Sequence, residues 1–217
     1  MARRSDNLFF LLIGLLVLLL LAPVVSTRFE NIISLAYTGT LMIGVWSLAR
    51  NRWAYIGGWA LALLSLALGG AQLSFDSPWP YMLSRIVAFA FCLLSILIVL
   101  REVLYGEFVD ANRIAGAVCV YLLLGLNWAF VYSFLYALDP TSFVGLPSEA
   151  DDLFLNLIYY SFVTLTTLGY GDISPGTHVA RALAYLQAVS GVLYIAILVA
   201  SLVGSFSRGA NTRTDVR

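Results

Sequence analysis

The stretch TLTTLGYGD, Thr164–Asp172, decides how the fold of this chain is interpreted. It combines two glycines, a tyrosine and a carboxylate, and it is too polar to face lipid. The rest of the chain is the opposite, because 61% of the 217 residues are apolar, 11% are charged and the mean hydropathy is +0.90. An ordinary soluble domain has about 25% charged residues. The composition predicts an all-α integral membrane protein, in which the quoted segment needs an explanation.

Six apolar runs approach the length of about 20 residues that a helix needs to cross a bilayer. They are Leu8–Val25, Ile32–Ala49, Ala54–Leu73, Tyr81–Leu104, Ile114–Leu138 and Val179–Phe206. We therefore predict a multi-pass protein with six transmembrane helices in a lipid bilayer. The formal net charge is zero, so the overall charge does not indicate a nucleic acid partner.

The basic residues, all twelve of them arginines, predict the orientation of these helices. Three lie near one end of the predicted helices, namely Arg28, Arg85 and Arg181, and nine lie at the other end. The nine are Arg3, Arg4, Arg50, Arg52, Arg101, Arg113, Arg208, Arg213 and Arg217. Cytoplasmic loops are enriched in basic residues, so we predict cytoplasmic N- and C-termini in a cell or inner membrane. An alternative for the first run is a signal peptide cleaved before Thr27, which would leave five spans.

A shorter apolar run, Leu153–Leu165, lies between the last two predicted spans. Its thirteen residues would form a helix about 20 Å long, whereas the hydrocarbon core is about 30 Å thick. We therefore predict a re-entrant helix. Ser148 and Asp151 have the spacing of a capping box before it, and the charges of Asp151 and Asp152 suit a helix N-terminus.

The quoted stretch follows this half-helix, and its glycines predict a break in regular structure. Gly169 and Gly171 permit a positive φ. Non-helical backbone at membrane depth is tolerated only where it is buried in protein or lines a watery cavity. A desolvated cation is a suitable partner, because main-chain carbonyl oxygens can replace its water shell. The negative C-terminal end of the half-helix would also favour a cation there.

The residues TTLGYGD, Thr166–Asp172, closely resemble the selectivity-filter signature of potassium channels. The resemblance covers roughly Ile114–Phe206 and implies a pore loop between the fifth and sixth helices of a voltage-gated-like channel. It implies that K+ is bound by main-chain carbonyl oxygens and by the Thr167 hydroxyl, with Tyr170 pointing away from the pore and Asp172 at the outer mouth. The implied filter residues are Thr167, Leu168, Gly169, Tyr170 and Gly171, and K+ lies at the first four of them.

The residues around the filter are predicted to support it. Support is expected from Thr166, Tyr159 and Tyr160, and we hypothesise that one tyrosine hydroxyl donates a hydrogen bond to Asp172. Leu168 departs from the family, which usually has Val or Ile at this position. Its less stiff side chain leaves a weakly selective cation channel as an alternative.

Polar and small residues in the last span and its neighbour give further predictions. Gly191 lies 24 residues after Thr167 and resembles the inner-helix hinge glycine of potassium channels, with close helix packing as the alternative. Gln187, Ser190 and Asn127 could face a cavity or form interhelical hydrogen bonds. The predicted domains are a peripheral four-helix domain at 1–110, a pore domain at 111–207 and a short cytoplasmic tail at 208–217.

The fourth apolar run lacks the ladder of arginines found in voltage-gated relatives. It carries only Arg85 near its outer end and Arg101 near its inner end. Moving one charge across the whole membrane is worth about 2.3 kcal/mol per 100 mV, and two arginines at the helix ends supply little of that. We predict that both arginines are snorkelling anchors and that the channel is not steeply voltage-gated.

One chain supplies one strip of carbonyl groups, and one strip cannot encircle an ion. No internal repeat of the filter is present, so several copies must meet on an axis. The resemblance implies a homotetramer that conducts K+ passively. Alternatives are a subunit that needs partner chains and a transporter with channel-like filters, although such transporters resemble four fused repeats.

The remaining chemistry-bearing residues do not indicate an enzyme. The single histidine, His178, is predicted to mark the start of the last span. No nucleophile–base pair or metal-ligand spacing is recognisable, so no cofactor is predicted besides K+ as the permeant ion. Cys92 and Cys119 lie in apolar runs, which predicts free core thiols rather than a disulfide.

Overall fold

A computed structural model describes residues 7–25, 56–61, 63–64, 67–68, 78–105, 111–147 and 153–214. We name its helices and strands in chain order. They are α1 (Asn7–Val25), α2 (Pro78–Tyr105), α3 (Ala111–Leu138), β1 (Phe143–Val144), α4 (Leu153–Leu165), β2 (Ser174–Pro175) and α5 (His178–Thr214). A single turn of 3-10 helix, Pro140–Ser142, precedes β1. The described chain is mostly helical, as predicted for an all-α membrane protein.

Three described helices are long and apolar enough to cross a membrane, judged by length and composition. They contain the segments Met82–Arg101, Ala111–Leu138 and His178–Ser201. The described apolar stretch of α1, Leu8–Leu21, is shorter. The predicted second span lies outside the described residues, and the third is described only in part, with residues 56–61, 63–64 and 67–68 helical. The total of six spans therefore stays a prediction.

The last helix, α5, begins at His178, as the sequence indicates, and runs for 37 residues. Its start is capped by the hydroxyl of Thr177, which accepts a hydrogen bond from the amide of Ala180 at 3.3 Å. The helix continues through Thr214, beyond the predicted end of the span at Phe206. Most of the segment predicted as a short tail is therefore a continuation of the same helix.

The core between α1, α2 and α3 is apolar and closely packed. Both cysteines, Cys92 and Cys119, are free and buried in it, as predicted. Gly116 lies on α3 where this helix meets α1, and a Cβ added there would lie 2.8 Å from Cδ1 of Leu8. Close packing of this kind is what stabilises helix pairs in lipid, where the hydrophobic effect between helices is absent.

Two arginines connect α2 with α3 and α4, one near each end of α2. Near the N-terminal end of α2, Arg85 donates a hydrogen bond to Oγ of Ser133 on α3, and its Cζ lies 4.7 Å from the ring centroid of Phe154 on α4. Near the other end, Nε of the buried Arg113 donates to the carbonyl of Val103 at 2.6 Å. Arg85 thus differs from the predicted snorkelling anchor, because its guanidinium group contacts neighbouring helices.

A second core lies between α3, α4 and the start of α5, and it is built on aromatic rings. Tyr132, Phe143 and Tyr160 pack edge to face with ring centroids 5.0–5.5 Å apart. Edge-to-face pairs of this kind stabilise a core beyond their buried area. This aromatic cluster fixes one side of α4 and therefore positions the segment at the C-terminal end of that helix.

Candidate functional site

The helix that precedes the quoted stretch, α4, has the bounds predicted from the sequence, Leu153–Leu165. It ends in a Schellman motif, in which the amide of Leu168 donates to the carbonyl of Val163 at 2.9 Å and the amide of Thr167 donates to Thr164 at 3.0 Å. The predicted capping box before α4 lies outside the described residues. The amide groups of Thr167 and Leu168 thus donate hydrogen bonds to the end of α4, and the carbonyl groups of the same two residues do not take part in this motif.

Thr167 occupies the position in this motif that normally holds glycine, and its φ is +58°. A β-branched residue rarely adopts a left-handed conformation, which costs an ordinary residue about 1–2 kcal/mol. Strained conformations of this kind are concentrated at functional sites. The sequence did not predict this strain, because the rule for helix ends favours glycine at such a position.

Left-handed conformations recur at every second residue of the segment 167–171. Gly169 has a φ of +61° and Gly171 a φ of +81°, as their permissive backbones predicted, whereas Leu168 and Tyr170 between them do not have positive φ. Because φ changes sign from residue to residue, the backbone of this segment is neither helix nor strand. We call this segment the filter strip.

The carbonyl groups of the filter strip have no partners within the described part of the chain. Those of Thr167, Leu168, Gly169 and Tyr170 accept no hydrogen bond from any described residue. The side chains of Leu168 and Tyr170 are 55% and 66% exposed, and the space around both glycines is open. Unpaired carbonyl groups are costly at membrane depth, so at that depth the strip would need partners other than the described residues.

The C-terminal end of the filter strip, next to Asp172, is held by a hydrogen bond from α4. The hydroxyl of Tyr159 donates to Oδ2 of Asp172 at 2.7 Å, so the hydrogen bond hypothesised for one of the two tyrosines is present. This bond holds the pKa of the Asp172 carboxyl below its ordinary value and raises the pKa of Tyr159 to about 12. Tyr160 lies instead in the aromatic cluster. Asp172 is therefore an ionised, exposed carboxylate at neutral pH.

A short β-ladder lies beside this end of the filter strip. It joins the chain before α4 to the chain after the filter strip by main-chain hydrogen bonds. β1 pairs with β2 in antiparallel register, with Val144 opposite Ser174. Gly145 follows with a φ of +90°, and a Cβ added there would overlap the carbonyl oxygen of Asp172. Gly145 is therefore required for this close approach, which the sequence signalled only as a generic turn.

The remaining predicted support residue, Thr166, is exposed, and its hydroxyl donates to the carbonyl of Phe162 at 2.7 Å. It thus caps the last turn of α4 rather than reaching the filter strip.

Gly191, the predicted hinge, is buried in an uninterrupted stretch of α5. A Cβ added to it would lie 2.5 Å from the carbonyl oxygen of Leu165, the last residue of α4. This contact gives the glycine a packing role, which was the alternative to a hinge. Whether α5 bends there stays a prediction.

Of the polar residues singled out in the spans, Gln187 is the one whose hydrogen bonds to described residues cross between helices. Gln187 is fully buried and hydrogen-bonded to residues of α3 and α4, whereas the hydroxyl of Ser190 donates, within the described part of the chain, to the carbonyl of Gln187 at 2.7 Å. Oδ1 of Asn127 is buried and has no hydrogen-bond partner among the described residues. Of the two alternatives left open for Gln187, the structure supports interhelical bonding.

Comparisons with known proteins find relatives for the part of the chain that carries this geometry. The model of a family described as ion channel matches residues 108–208. The potassium voltage-gated channel protein Shal of Drosophila melanogaster is 37% identical over 81 residues, which cover 36% of this chain and 13% of that protein. The A-type voltage-gated potassium channel KCND3 of Rattus norvegicus and of Homo sapiens is 44% identical over 61 residues, covering 27% of this chain and 9% of the relative.

The matched segments span only about a tenth of the length of these relatives. No solved structure shows a significant match. Residues 108–208 contain α3, α4, the filter strip and most of α5, so the match falls on the elements that build the candidate site. The chain is an integral membrane protein, and its residues 108–208 are similar to ion channels, among them voltage-gated potassium channels.

Proposed function

We propose that this chain assembles as a homotetramer into a potassium-selective channel that conducts K+ passively through the filter strip. The proposal depends on one observation above all, the carbonyl groups of Thr167–Tyr170 that accept no hydrogen bond from any described residue. These oxygens follow the C-terminal end of α4, where the helix dipole favours positive charge. Main-chain oxygens in such an arrangement can replace the hydration shell of an alkali cation.

The charge at the outer end supports the same function. Asp172 lies at the end of the strip and remains ionised, because the hydrogen bond from Tyr159 lowers its pKa. A carboxylate repeated around a symmetry axis raises the local concentration of cations. Asp172 therefore acts on the approach of K+, while the carbonyl groups act on its dehydration.

Tetramer formation is supported by the poor coverage of α5 within one chain. Only 11% of the apolar segment of α5 is buried, compared with 56% of that of α3. Its exposed apolar side chains include Leu186, Val189, Leu193 and Ile197. Copies arranged around a closed axis would cover this face and would complete the ring of carbonyl groups that one strip cannot form.

A six-span topology with cytoplasmic termini and weak voltage dependence completes the proposal. Within α2 the arginines are Arg85 near the outer end and Arg101 near the inner end, and Arg85 is engaged with α3 and α4. A steep voltage response needs several charges that move through the field, each worth about 2.3 kcal/mol per 100 mV. We therefore expect a shallow dependence of open probability on voltage.

The test is reconstitution of the purified chain alone into liposomes and planar bilayers. We expect K+ flux, a reversal potential that follows the K+ gradient in mixed K+ and Na+, and a mass of four copies by native mass spectrometry. Equal permeation of Na+ would instead favour the weakly selective cation channel, and Leu168→Val would then be expected to raise selectivity. The absence of flux from well-folded protein would favour a subunit that needs partner chains.

A further inference from the structure

One face of α4 is joined to α3 and α5 by a buried hydrogen-bond network. The hydroxyl of Tyr132 on α3 donates to Oε1 of Gln187 on α5 at 2.5 Å. Nε2 of Gln187 donates to Ser161 on α4, at 2.7 Å to Oγ and 2.9 Å to the carbonyl oxygen. Oγ of Ser161 in turn donates to the carbonyl of Gly125 on α3 at 2.6 Å. We call these bonds the rear network.

The rear network has one consistent arrangement of donors and acceptors. The carbonyl of Ser161 can only accept, so it requires the nitrogen of the Gln187 amide, and the amide oxygen must then face Tyr132. Gln187, Tyr132 and Ser161 are all fully buried. A buried amide that lost these bonds would be left unsatisfied, which is costly, so the network holds the three helices in a single relative position.

The network lies one helical turn from a second contact between the same two helices. Gln187 and Gly191 are four residues apart on α5, and Ser161 and Leu165 are four residues apart on α4. Gly191 packs so closely on the carbonyl of Leu165 that a Cβ would lie 2.5 Å from it. Because the helices are matched at two successive levels, α4 cannot slide or rotate against α5 without breaking one of them.

We propose that Gln187 is a positioning residue for ion selection: through Ser161 it sets the depth and rotation of α4, and thereby where the carbonyl groups of the filter strip lie. This inference rests on the proposed potassium channel function. The path is short, because α4 ends at Leu165 and its Schellman motif already includes Thr167 and Leu168. Selectivity depends on the placement of these oxygens, which have no other hydrogen bond from the described chain to hold them.

The test compares Gln187→Leu with Ser190→Ala in bilayers with mixed K+ and Na+. Leucine fills a similar volume but cannot bond Ser161 and leaves the hydroxyl of Tyr132 without a partner. We expect the K+/Na+ permeability ratio to fall by about tenfold, because all three hydrogen bonds of the Gln187 amide are lost. Ser190→Ala is the matched control, since its hydroxyl bonds only within α5, and the ratio should not change.

A milder variant covers the case in which Gln187→Leu does not fold. Tyr132→Phe removes one bond of the rear network and keeps both bonds between Gln187 and Ser161. We expect a smaller fall in the permeability ratio, about two- to threefold. In the double variant Tyr132→Phe with Gln187→Leu, the effects should not add, because the two residues act through the same bonds.

The outcomes separate the inference from the proposed function. If the unaltered chain selects K+ and both Gln187→Leu and Tyr132→Phe keep its permeability ratio, the positioning role of Gln187 is overturned while the proposed function stands. The same holds if Ser190→Ala lowers the ratio as much as Gln187→Leu does. If the unaltered chain itself shows no preference for K+, the proposed function is overturned, and the inference falls with it.

Discussion

The filter strip and the rear network differ in almost every physical respect, although both are tied to the same short helix. The strip consists of main-chain groups that are exposed and without hydrogen-bond partners in the described chain. The network consists mainly of side chains that are buried and fully paired. The strip has strained or permissive backbone at Thr167, Gly169 and Gly171. The network has ordinary helical backbone throughout.

This difference indicates that the two regions have different roles: the filter strip supplies the ligand atoms, and the rear network positions them. The strip supplies ligand atoms that every amino acid carries, so its sequence matters through the backbone conformations it permits. The network supplies no ligand atom, so its sequence matters through which side chains pair across helices. Changes that disturb the backbone conformation of the strip should therefore have the largest effect on conduction, whereas changes to the rear network should alter conduction by degrees.

The largest effect is expected for Gly169→Ala. Gly169 has a φ of +61°, which alanine adopts only at a free-energy cost of about 1–2 kcal/mol. In a homotetramer this cost would apply to each of the four copies. We expect K+ flux into liposomes to fall at least about 100-fold. Gly57→Ala is the control, because a Cβ there also meets nothing within 4 Å but its φ is not positive. Normal flux through Gly169→Ala would remove the backbone argument for the strip.

The next largest effect is expected for Gly191→Ala, which changes the packing of α5 against the C-terminal end of α4. The added Cβ would lie 2.5 Å from the carbonyl oxygen of Leu165, so the end of α4 must shift. We expect open probability in single-channel recordings to fall by about tenfold, since overpacking against backbone costs about 1–3 kcal/mol. Gly116→Ala is the control, because its Cβ would meet the flexible end of Leu8. An unchanged open probability would contradict both the packing role and the hinge.

A third variant, Thr167→Gly, separates stability from function within the strip. Glycine relieves the left-handed strain at φ +58°, so we expect the protein to be stabilised by up to about 1 kcal/mol per chain. It also removes the hydroxyl proposed to line the innermost ion site, so we expect conductance to fall several-fold. Thermal unfolding and single-channel conductance measure the two effects. Thr167→Ser keeps the hydroxyl and should retain most of the conductance; equal conductance in all three proteins would exclude a role for it.

The smallest effect is expected for Tyr159→Phe, which removes the hydrogen bond to Asp172 at the outer end of the strip. We expect current to decline about two- to threefold faster during sustained opening, the size expected for one exposed hydrogen bond. Tyr160→Phe is the control, because its ring lies in the aromatic cluster. Equal rates of decline in the two variants would show that this bond does not support the filter.

The same bond predicts how the outer end responds to pH. The pKa of Asp172 is lowered, so the bonded carboxylate is present above its ordinary pKa and is lost only as pH falls through a still lower value. The pKa of Tyr159 is raised to about 12, so its proton is retained until the medium is strongly alkaline. The rate of decline should therefore be constant between about pH 5 and about pH 9, within the ordinary values of both groups.

Local patterns were sufficient to predict the elements that form the site. The bounds of α4 follow from an apolar run of thirteen residues between polar segments. The positive φ values at Gly169 and Gly171 follow from the freedom of glycine. The hydrogen bond to Asp172 was predicted only in part. The sequence has two adjacent tyrosines, Tyr159 and Tyr160, and only the packing of α4 decides which hydroxyl reaches Asp172.

Contacts between distant residues were not predictable in the same way. Gln187 was compatible with a cavity or with a neighbouring helix, since one sequence gives the polarity of a residue but not what lies opposite. Arg85 was expected to extend to the membrane surface, yet it contacts Ser133 and Phe154. The sequence did not predict the left-handed conformation of Thr167, because the usual residue at that position of a helix end is glycine. Threonine keeps a hydroxyl group there, which glycine would lack.

The arginines at the two ends of α2 have a mechanical consequence. Arg85 bonds α3 and stacks on an aromatic ring of α4, and Arg113 binds a carbonyl of α2 near the opposite end. If α2 moved along its own axis, it would have to break the contacts at both ends. We therefore expect α2 to resist such sliding. A force that bends its N-terminal end would act on Phe154, at the start of the helix that precedes the filter strip.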